Sequence, residues 1–123
     1  MKQSFLPLLM AAAVLGGCAS AQDEAARQAL QGVRTAYAAG DYGSVIRTVA
    51  TSSALAGAPR AERVEALKLQ SFSYCVTDHL ALCQDGFVRI LRIQPSFALA
   101  PNEAGHPQWG PAFQRAQAAV GAG

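Results

Sequence analysis

The chain has few of the features that accompany catalysis or nucleic-acid binding. Its 123 residues include only three cysteines, two histidines and one tryptophan. Basic residues are scattered, and the formal net charge is only +2, so we expect no nucleic-acid binding. The sequence also lacks a glycine-rich phosphate loop and a serine nucleophile motif, and paired carboxylates are missing from its last third. We therefore predict that the protein is not an enzyme, and we expect no cofactor.

The sequence also lacks an apolar run of the about 20 residues that a membrane-spanning helix needs. Its clearest apolar run, residues 5–15 (FLPLLMAAAVL), follows a lysine and ends in Leu15-Gly16-Gly17-Cys18. This order is typical of a secretory signal that ends in a bacterial lipobox. We predict that residues 1–17 are a lipoprotein signal peptide and that Cys18 is the lipidation site. The alternative is an ordinary signal peptide cut near Ala21.

Lipidation would also determine where the protein resides. Stable anchoring takes more than one lipid chain, and a lipoprotein cysteine carries three. The residue after Cys18 is Ala19 and not aspartate. The chain resembles Gram-negative lipoproteins that have no aspartate after the lipidated cysteine. That resemblance implies sorting to the outer membrane, with the domain on the periplasmic face. Residues 18–22 would then be the lipidated cysteine and a short tether, which keeps the domain within roughly 20 Å of the membrane.

The rest of the chain is predicted to be one all-α domain, residues 23–120, followed by a frayed tail, residues 121–123. Apolar residues recur with the period of an α-helix. Five helices are predicted. The first runs from Asp23 to Gly40, the second includes Val45 and Val49, and the third begins at Arg60 or Ala61. The fourth includes Phe87 and stops before Pro95, and the fifth has Pro111 in its first turn. Residues 51–59 (TSSALAGAP) are predicted to be the connecting loop.

An internal repeat organises these helices. The segment Tyr37-x2-Gly40-Asp41-Tyr42 aligns with Tyr74-x2-Thr77-Asp78-His79 about 37 residues later. A helix–turn–helix unit at that period resembles tetratricopeptide repeats, whose unit is about 34 residues. We predict two such antiparallel hairpins and a C-terminal capping helix, wedged in place by Trp109 and Phe113. The alternative is a generic array of helical hairpins.

Cys75 and Cys83 flank the second predicted bend, where two antiparallel helices would bring them together. In an oxidising compartment such a pair favours a disulfide. Two separate buried thiols are the alternative. Two weaker hypotheses remain. The cysteines could form a metal site with Asp78 and His79, but no second Cys/His pair completes a familiar ligand pattern. A Cys–His nucleophile would need an orienting group, and none is evident. We therefore predict no metal site.

Two kinds of residue remain as candidate sites. Tetratricopeptide repeats can bind peptides in the groove lined by the first helix of each hairpin. That resemblance makes Arg34, Tyr37, Lys68 and Phe72 candidate partner-binding residues, although ordinary surface and core positions are the alternative. His106 lies in a turn-rich segment, GHPQWGP, and is expected to bond the backbone and not to bind a ligand.

One stretch of the sequence resembles a named family. It comprises the Phe72–Val76 run, Cys83, Phe87, the Pro95-x-Phe97-x-Leu99 segment, and the final segment Glu103-x-Gly105-His106-Pro107-x-Trp109-Gly110-Pro111-x-Phe113. These residues resemble the TssQ family of small lipoproteins associated with bacterial type VI secretion. The resemblance implies an outer-membrane lipoprotein that serves as an assembly accessory and contacts envelope or secretion-apparatus proteins. The main alternative is a general envelope-assembly or peptidoglycan-associated lipoprotein, and a metal- or redox-active domain is a lesser one.

Overall fold

The computed structural model describes residues 14–122, and within that range it contains seven helices and no strand. The all-α prediction is therefore confirmed. The helices are α1 (Val14–Ala38), α2 (Tyr42–Thr51), α3 (Ser53–Ala56), α4 (Arg60–Val76), α5 (Leu80–Ile93), α6 (Pro101–Ala104) and α7 (Trp109–Ala122). No helix in this range is both long enough and apolar enough to cross a membrane.

Several helices differ from those expected: α6 was not predicted, and α7 continues to Ala122, into the predicted frayed tail. Helix α1 begins at Val14 and not at Asp23, so residues 19–22, which were predicted to be a tether, continue the helix. The predicted loop at residues 51–59 contains the short helix α3. A serine cap and one apolar anchor explain α3, because the Ser52 side chain accepts a hydrogen bond from the Leu55 N–H at 3.2 Å. Leu55 itself is buried in the core.

Helix α4 occupies the centre of the fold. It contacts α1, α2 and α3 on one side and α5 and α7 on the other, and α7 packs mainly on α5. Two groups of buried side chains reflect this layering. One group lies among α1, α2, α3 and α4 and includes Leu30, Val33 and Val45. The other joins α4, α5 and α7 through Phe72, Phe87 and other apolar residues. The two apolar faces of the α4 sequence therefore pack against two different layers.

The two bends of the repeat share one backbone geometry, but not in the register that the sequence suggested. The left-handed residue is Gly40 in the first bend, with φ of 74°, and Asp78 in the second, with φ of 63°. In both bends the residue that follows donates its N–H to a carbonyl five positions earlier, as in a Schellman motif. Structurally equivalent positions are therefore 38 residues apart, and not 37. Alignment of Asp41 with Asp78 was wrong by one position, because Asp41 is the helix cap while Asp78 makes the turn.

Helices α4 and α5 pack closely against each other at Gly86. A Cβ atom placed on Gly86 would overlap the Ser71 hydroxyl oxygen and lie only 3.2 Å from the Ser71 Cβ. Both residues are fully buried, so neither helix can relieve the overlap by turning a side chain toward solvent. The hairpin therefore depends on a small residue at each of these two positions.

Substitution of Gly86 by alanine should lower the free energy of unfolding by about 1–3 kcal/mol, the usual effect of overpacking a core. Urea denaturation followed by circular dichroism measures this change. The double variant Gly86→Ala/Ser71→Gly removes the atoms that collide and should recover much of the loss, less about 1 kcal/mol for the new helical glycine. The variant Ser71→Gly alone measures the cost of the new glycine, and additive effects of the two single substitutions would mean that the close approach is not the cause.

Candidate protein-interaction surface

The candidate partner-binding residues lie where α1 meets α4. Arg34 is half-exposed and its Nε donates to the Glu65 carboxylate at 2.6 Å. Tyr37 is half-buried, with its ring 5.7 Å from that of Tyr42 and 6.3 Å from that of Phe72. Lys68 places its Nζ 5.6 Å from the centre of the Phe72 ring. The structure thus brings all four candidates, Arg34, Tyr37, Lys68 and Phe72, to one region of the molecule.

Phe72 does not line an open groove, and its assignment as a partner-binding residue is corrected. Only 3% of the residue is exposed, and its ring packs edge-on against Phe87 at 6.1 Å. Trp109 covers the other side of the ring in a stacked arrangement, with the centroids 3.9 Å apart. Phe72 therefore belongs to the core, because Phe87 and Trp109 leave almost none of its ring accessible to a partner.

The residues that connect α5 to α7, numbers 94–108, hold this cover in place. The Trp109 ring stacks on Phe72 on one side and on His106 on the other, where the centroids lie 3.5 Å apart. Its indole N–H donates to the Glu103 carbonyl oxygen at 2.8 Å. Farther along α7, Phe113 is buried against Phe87 at 5.3 Å. Trp109 thus anchors the connector to α4, and Phe113 anchors α7 to α5.

His106 bonds the backbone, as was expected from its setting among prolines and glycines. Its Nδ1 accepts hydrogen bonds from the N–H groups of Gln108 and Trp109, at 3.1 and 3.4 Å. The imidazole thereby satisfies donors at the first turn of α7. The backbone at Gly110 passes close to α6. A Cβ atom at that position would lie 2.6 Å from the Ala104 carbonyl oxygen, so the turn requires glycine there. The GHPQWGP segment therefore serves to place Trp109 against α4.

An ion pair ties the connector to the same region of α4. Lys68 Nζ lies 2.9 Å from a Glu103 carboxylate oxygen, and both side chains are mostly buried. The other carboxylate oxygen accepts the Ala100 N–H at 2.9 Å. Burial raises the pKa of Glu103, but the hydrogen bonds from Lys68 and Ala100 outweigh it and leave the pKa below its ordinary value of 4.5. The sequence did not predict this pair, since its partners are 35 positions apart.

Glu103→Gln should destabilise the protein at pH 7 by on the order of 1 kcal/mol, and the effect should disappear in acid. A carboxyl group with a lowered pKa contributes stability above its unfolded pKa, and this contribution is lost as the pH falls through the folded value. Melting temperatures of both proteins should therefore begin to approach each other below about pH 4.5 and should meet only once the pH has fallen through the lowered pKa of folded Glu103. The Arg34–Glu65 pair offers a control. It is more exposed to solvent, so Glu65→Gln should change the melting temperature much less. A difference that does not shrink at all between pH 7 and pH 3 would mean that the effect is packing and not charge.

Cys75 and Cys83 adopt the geometry of a disulfide. Both are fully buried, their Cα atoms are 5.2 Å apart and their sulfur atoms are within bonding distance of each other. This pairing leaves neither sulfur as a thiolate for the alternative metal or nucleophile sites. Among the side chains that the structure describes, residues 20–122, no group of three or more His, Cys, Asp or Glu is arranged to hold a metal ion. Cys18 lies within α1, but its side chain is outside the described part of the structure.

Comparison of the chain with protein-family models, with curated proteins and with solved structures found no match in any of the three.

Proposed function

We propose that the protein is an outer-membrane lipoprotein that acts as a protein–protein interaction accessory of the type VI secretion apparatus. The anchor would be lipid on Cys18, at the end of the lipobox pattern Leu15–Cys18. The name of the apparatus rests on the resemblance of roughly residues 36–116 to the TssQ family, which is most specific in the His106–Pro111 segment and the two cysteines. The helical domain would hold its partner on the periplasmic face of the outer membrane.

The observation that carries the binding role is the polar surface of α1 and α4 around Arg34 and Tyr37. The Arg34–Glu65 pair is solvent-accessible, so a partner can compete for either charge at little cost. Tyr37 presents part of a ring that rests on the core, and such residues are enriched at protein interfaces. Lys68 takes part only at the edge of this surface, because Glu103 already holds its ammonium group.

We also propose that the domain is a two-repeat stack of the tetratricopeptide type with α7 as its cap. The equivalent hydrogen bonds at the two bends support this arrangement. The contacts of α4 with α1 and α2 also support it. In such a stack the first helix of the second hairpin, here α4, packs on both helices of the preceding hairpin. In this interpretation the connector, residues 94–108, covers part of the groove, and the binding surface is the portion of α1 and α4 that stays uncovered.

Loss of the anchor gives a direct test of this proposal. Cys18→Ser should abolish incorporation of labelled palmitate and remove the protein from the outer-membrane fraction. In a deletion strain it should also fail to restore type VI secretion, measured as effector protein in the medium. A signal-preserving change beside it, Ala19→Ser, should restore both. Normal secretion by the unlipidated variant would contradict the proposed role of the anchor.

A general envelope-assembly lipoprotein is the second candidate function, and the same strains distinguish the two. Deletion of the gene should leave outer-membrane permeability to large antibiotics unchanged if the protein serves secretion alone. Increased permeability with unaffected effector release would favour the second candidate. The lipobox pattern is common to both, so lipidation by itself does not separate them.

A further inference from the structure

An apolar groove of about 420 Å³ lies on a part of the molecule that the proposed interaction surface does not use. Residues from α2 and α3 line one side, residues from the C-terminal half of α5 line the other, and α4 contacts all three of these helices. The lining is mostly aliphatic and includes Val49, Leu55, Leu67 and Ile93. Arg34, Tyr37 and Lys68 are not among the lining residues. The groove is therefore separate from that surface.

Three arginines and no acidic residue line this groove: Arg63, Arg89 and Arg92. Arg63 is half-buried, and its Nε is buried without a hydrogen-bond partner among the residues that the structure describes. Arg89 is paired with Asp85 at 3.2 Å, but the pair is largely exposed, so the guanidinium can exchange that partner cheaply. Arg92 lies in the last turn of α5 and is in no ion pair within residues 20–122. The groove thus combines aliphatic walls with guanidinium groups that lack strong partners.

We propose that this groove binds a small anionic amphiphile, a carboxylate, sulfonate or phosphate ester that carries one linear apolar chain. Ligand sites of about 300–1,000 Å³ with apolar walls and a few convergent polar groups are typical of small-molecule binding. The aliphatic walls take the chain, because burying each methylene contributes about 0.8 kcal/mol. The guanidinium groups take the anionic head, since their planar arrangement of donors matches two oxygens of one acid group.

The apolar walls and the arginines of the groove favour different parts of the ligand, so head-group charge can be varied while the chain is kept constant. An alcohol with the same chain would fill the walls but leave the guanidinium groups without a counter-charge. A cationic amphiphile would in addition be repelled by three arginines. We therefore expect anionic, neutral and cationic amphiphiles of equal chain length to bind in that order of affinity. This order is independent of whether the protein serves a secretion apparatus.

Isothermal titration calorimetry of the purified protein with decanoate, decan-1-ol and decylammonium tests the proposal, with each compound kept below the concentration at which it forms micelles. Decanoate should bind at one site, about tenfold or more tightly than decan-1-ol, because several weak ion pairs act together. Decylammonium should not bind. Equal affinity for decanoate and decan-1-ol, or no heat from decanoate up to millimolar concentration, would overturn the proposal.

Variants locate the site. Arg92→Gln should weaken decanoate binding about two- to fivefold, while Arg115→Gln, an exposed arginine on α7, should leave it unchanged. Ala56 lines the groove and is exposed on α3, so Ala56→Phe should block the chain and abolish binding without unfolding the protein. Circular dichroism confirms that each variant is folded. Unchanged binding to both Arg92→Gln and Ala56→Phe would place the ligand elsewhere and contradict the assignment. Binding to anionic lipid vesicles without binding to monomeric decanoate would likewise contradict it.

Discussion

Phe87→Ala should lower the free energy of unfolding by about 3–5 kcal/mol, the largest effect that we expect from a single substitution in this protein. Phe87 is fully buried, and its ring lies 6.1 Å from that of Phe72 on α4 and 5.3 Å from that of Phe113 on α7. Its removal leaves a cavity at the point where three helices meet. A domain of about 100 residues is stable by only about 5–15 kcal/mol, so much of that stability would be lost.

Thermal unfolding followed by circular dichroism measures this effect, and the same helix supplies a control. Leu82 is also an apolar residue of α5, but 46% of it is exposed. Leu82→Ala should therefore change stability by less than about 0.5 kcal/mol. If both variants lost the same stability, the effect would come from the helix itself and not from the aromatic junction among α4, α5 and α7.

Removal of the Cys75–Cys83 pair should have the second largest effect, about 2.5 kcal/mol, from a loop of about nine residues in the chain-entropy model. For a domain of this size that loss corresponds to a melting temperature lower by roughly 10–20 °C. The variant Cys75→Ala/Cys83→Ala is the appropriate change, because alanine places no unpaired hydroxyl in the fully buried positions. Differential scanning calorimetry in the absence and presence of reductant is the measurement.

The reductant separates the covalent bond from the packing of the two sulfur atoms. The natural protein should lose stability in reductant, whereas the double variant should be insensitive to it. The difference in melting temperature that remains between the two proteins in reductant measures the packing contribution of the buried thiols. A natural protein whose melting temperature is unaffected by reductant, under conditions where mass spectrometry shows two free thiols, would contradict a stabilising bridge.

Much of the architecture could be predicted from the sequence, because it depends on local patterns. The apolar stripes of α4 predicted neighbours on two sides, and the structure gives it a different layer on each. The setting of His106 among turn residues predicted its bonds to the backbone. The two cysteines on either side of the bend predicted a pair within disulfide distance. Periodicity and turn chemistry act over a few residues, so one sequence is enough to reveal them.

The sequence was misleading where two physical causes compete for the same residue. An aspartate near a bend can cap the next helix or adopt the left-handed conformation, and Asp41 and Asp78 each do one of these. The repeat register was therefore misjudged by one residue. The pattern around Phe72 similarly fitted either a groove-lining residue or a core residue. Trp109 stacks on its ring, and this contact makes Phe72 a core residue.

Contacts between distant parts of the chain were out of reach of sequence reasoning. The Lys68–Glu103 pair depends on the path of the connector, residues 94–108, and no periodicity encodes that path. The groove of Arg63, Arg89 and Arg92 is likewise formed by residues from separate helices. Such features depend on how helices are placed against one another, and a pattern read along a single helix does not contain that information.

Connection of the domain to a secretion apparatus is the central claim, and quantitative affinity capture tests it most directly. The tagged protein, its Arg34→Glu variant and an Arg115→Glu control would be captured from cross-linked membranes of a secreting strain and compared by mass spectrometry. The account predicts that type VI apparatus components are enriched with the natural protein and the control, and are lost with Arg34→Glu. Enrichment of outer-membrane barrel-assembly proteins in place of those components would contradict it.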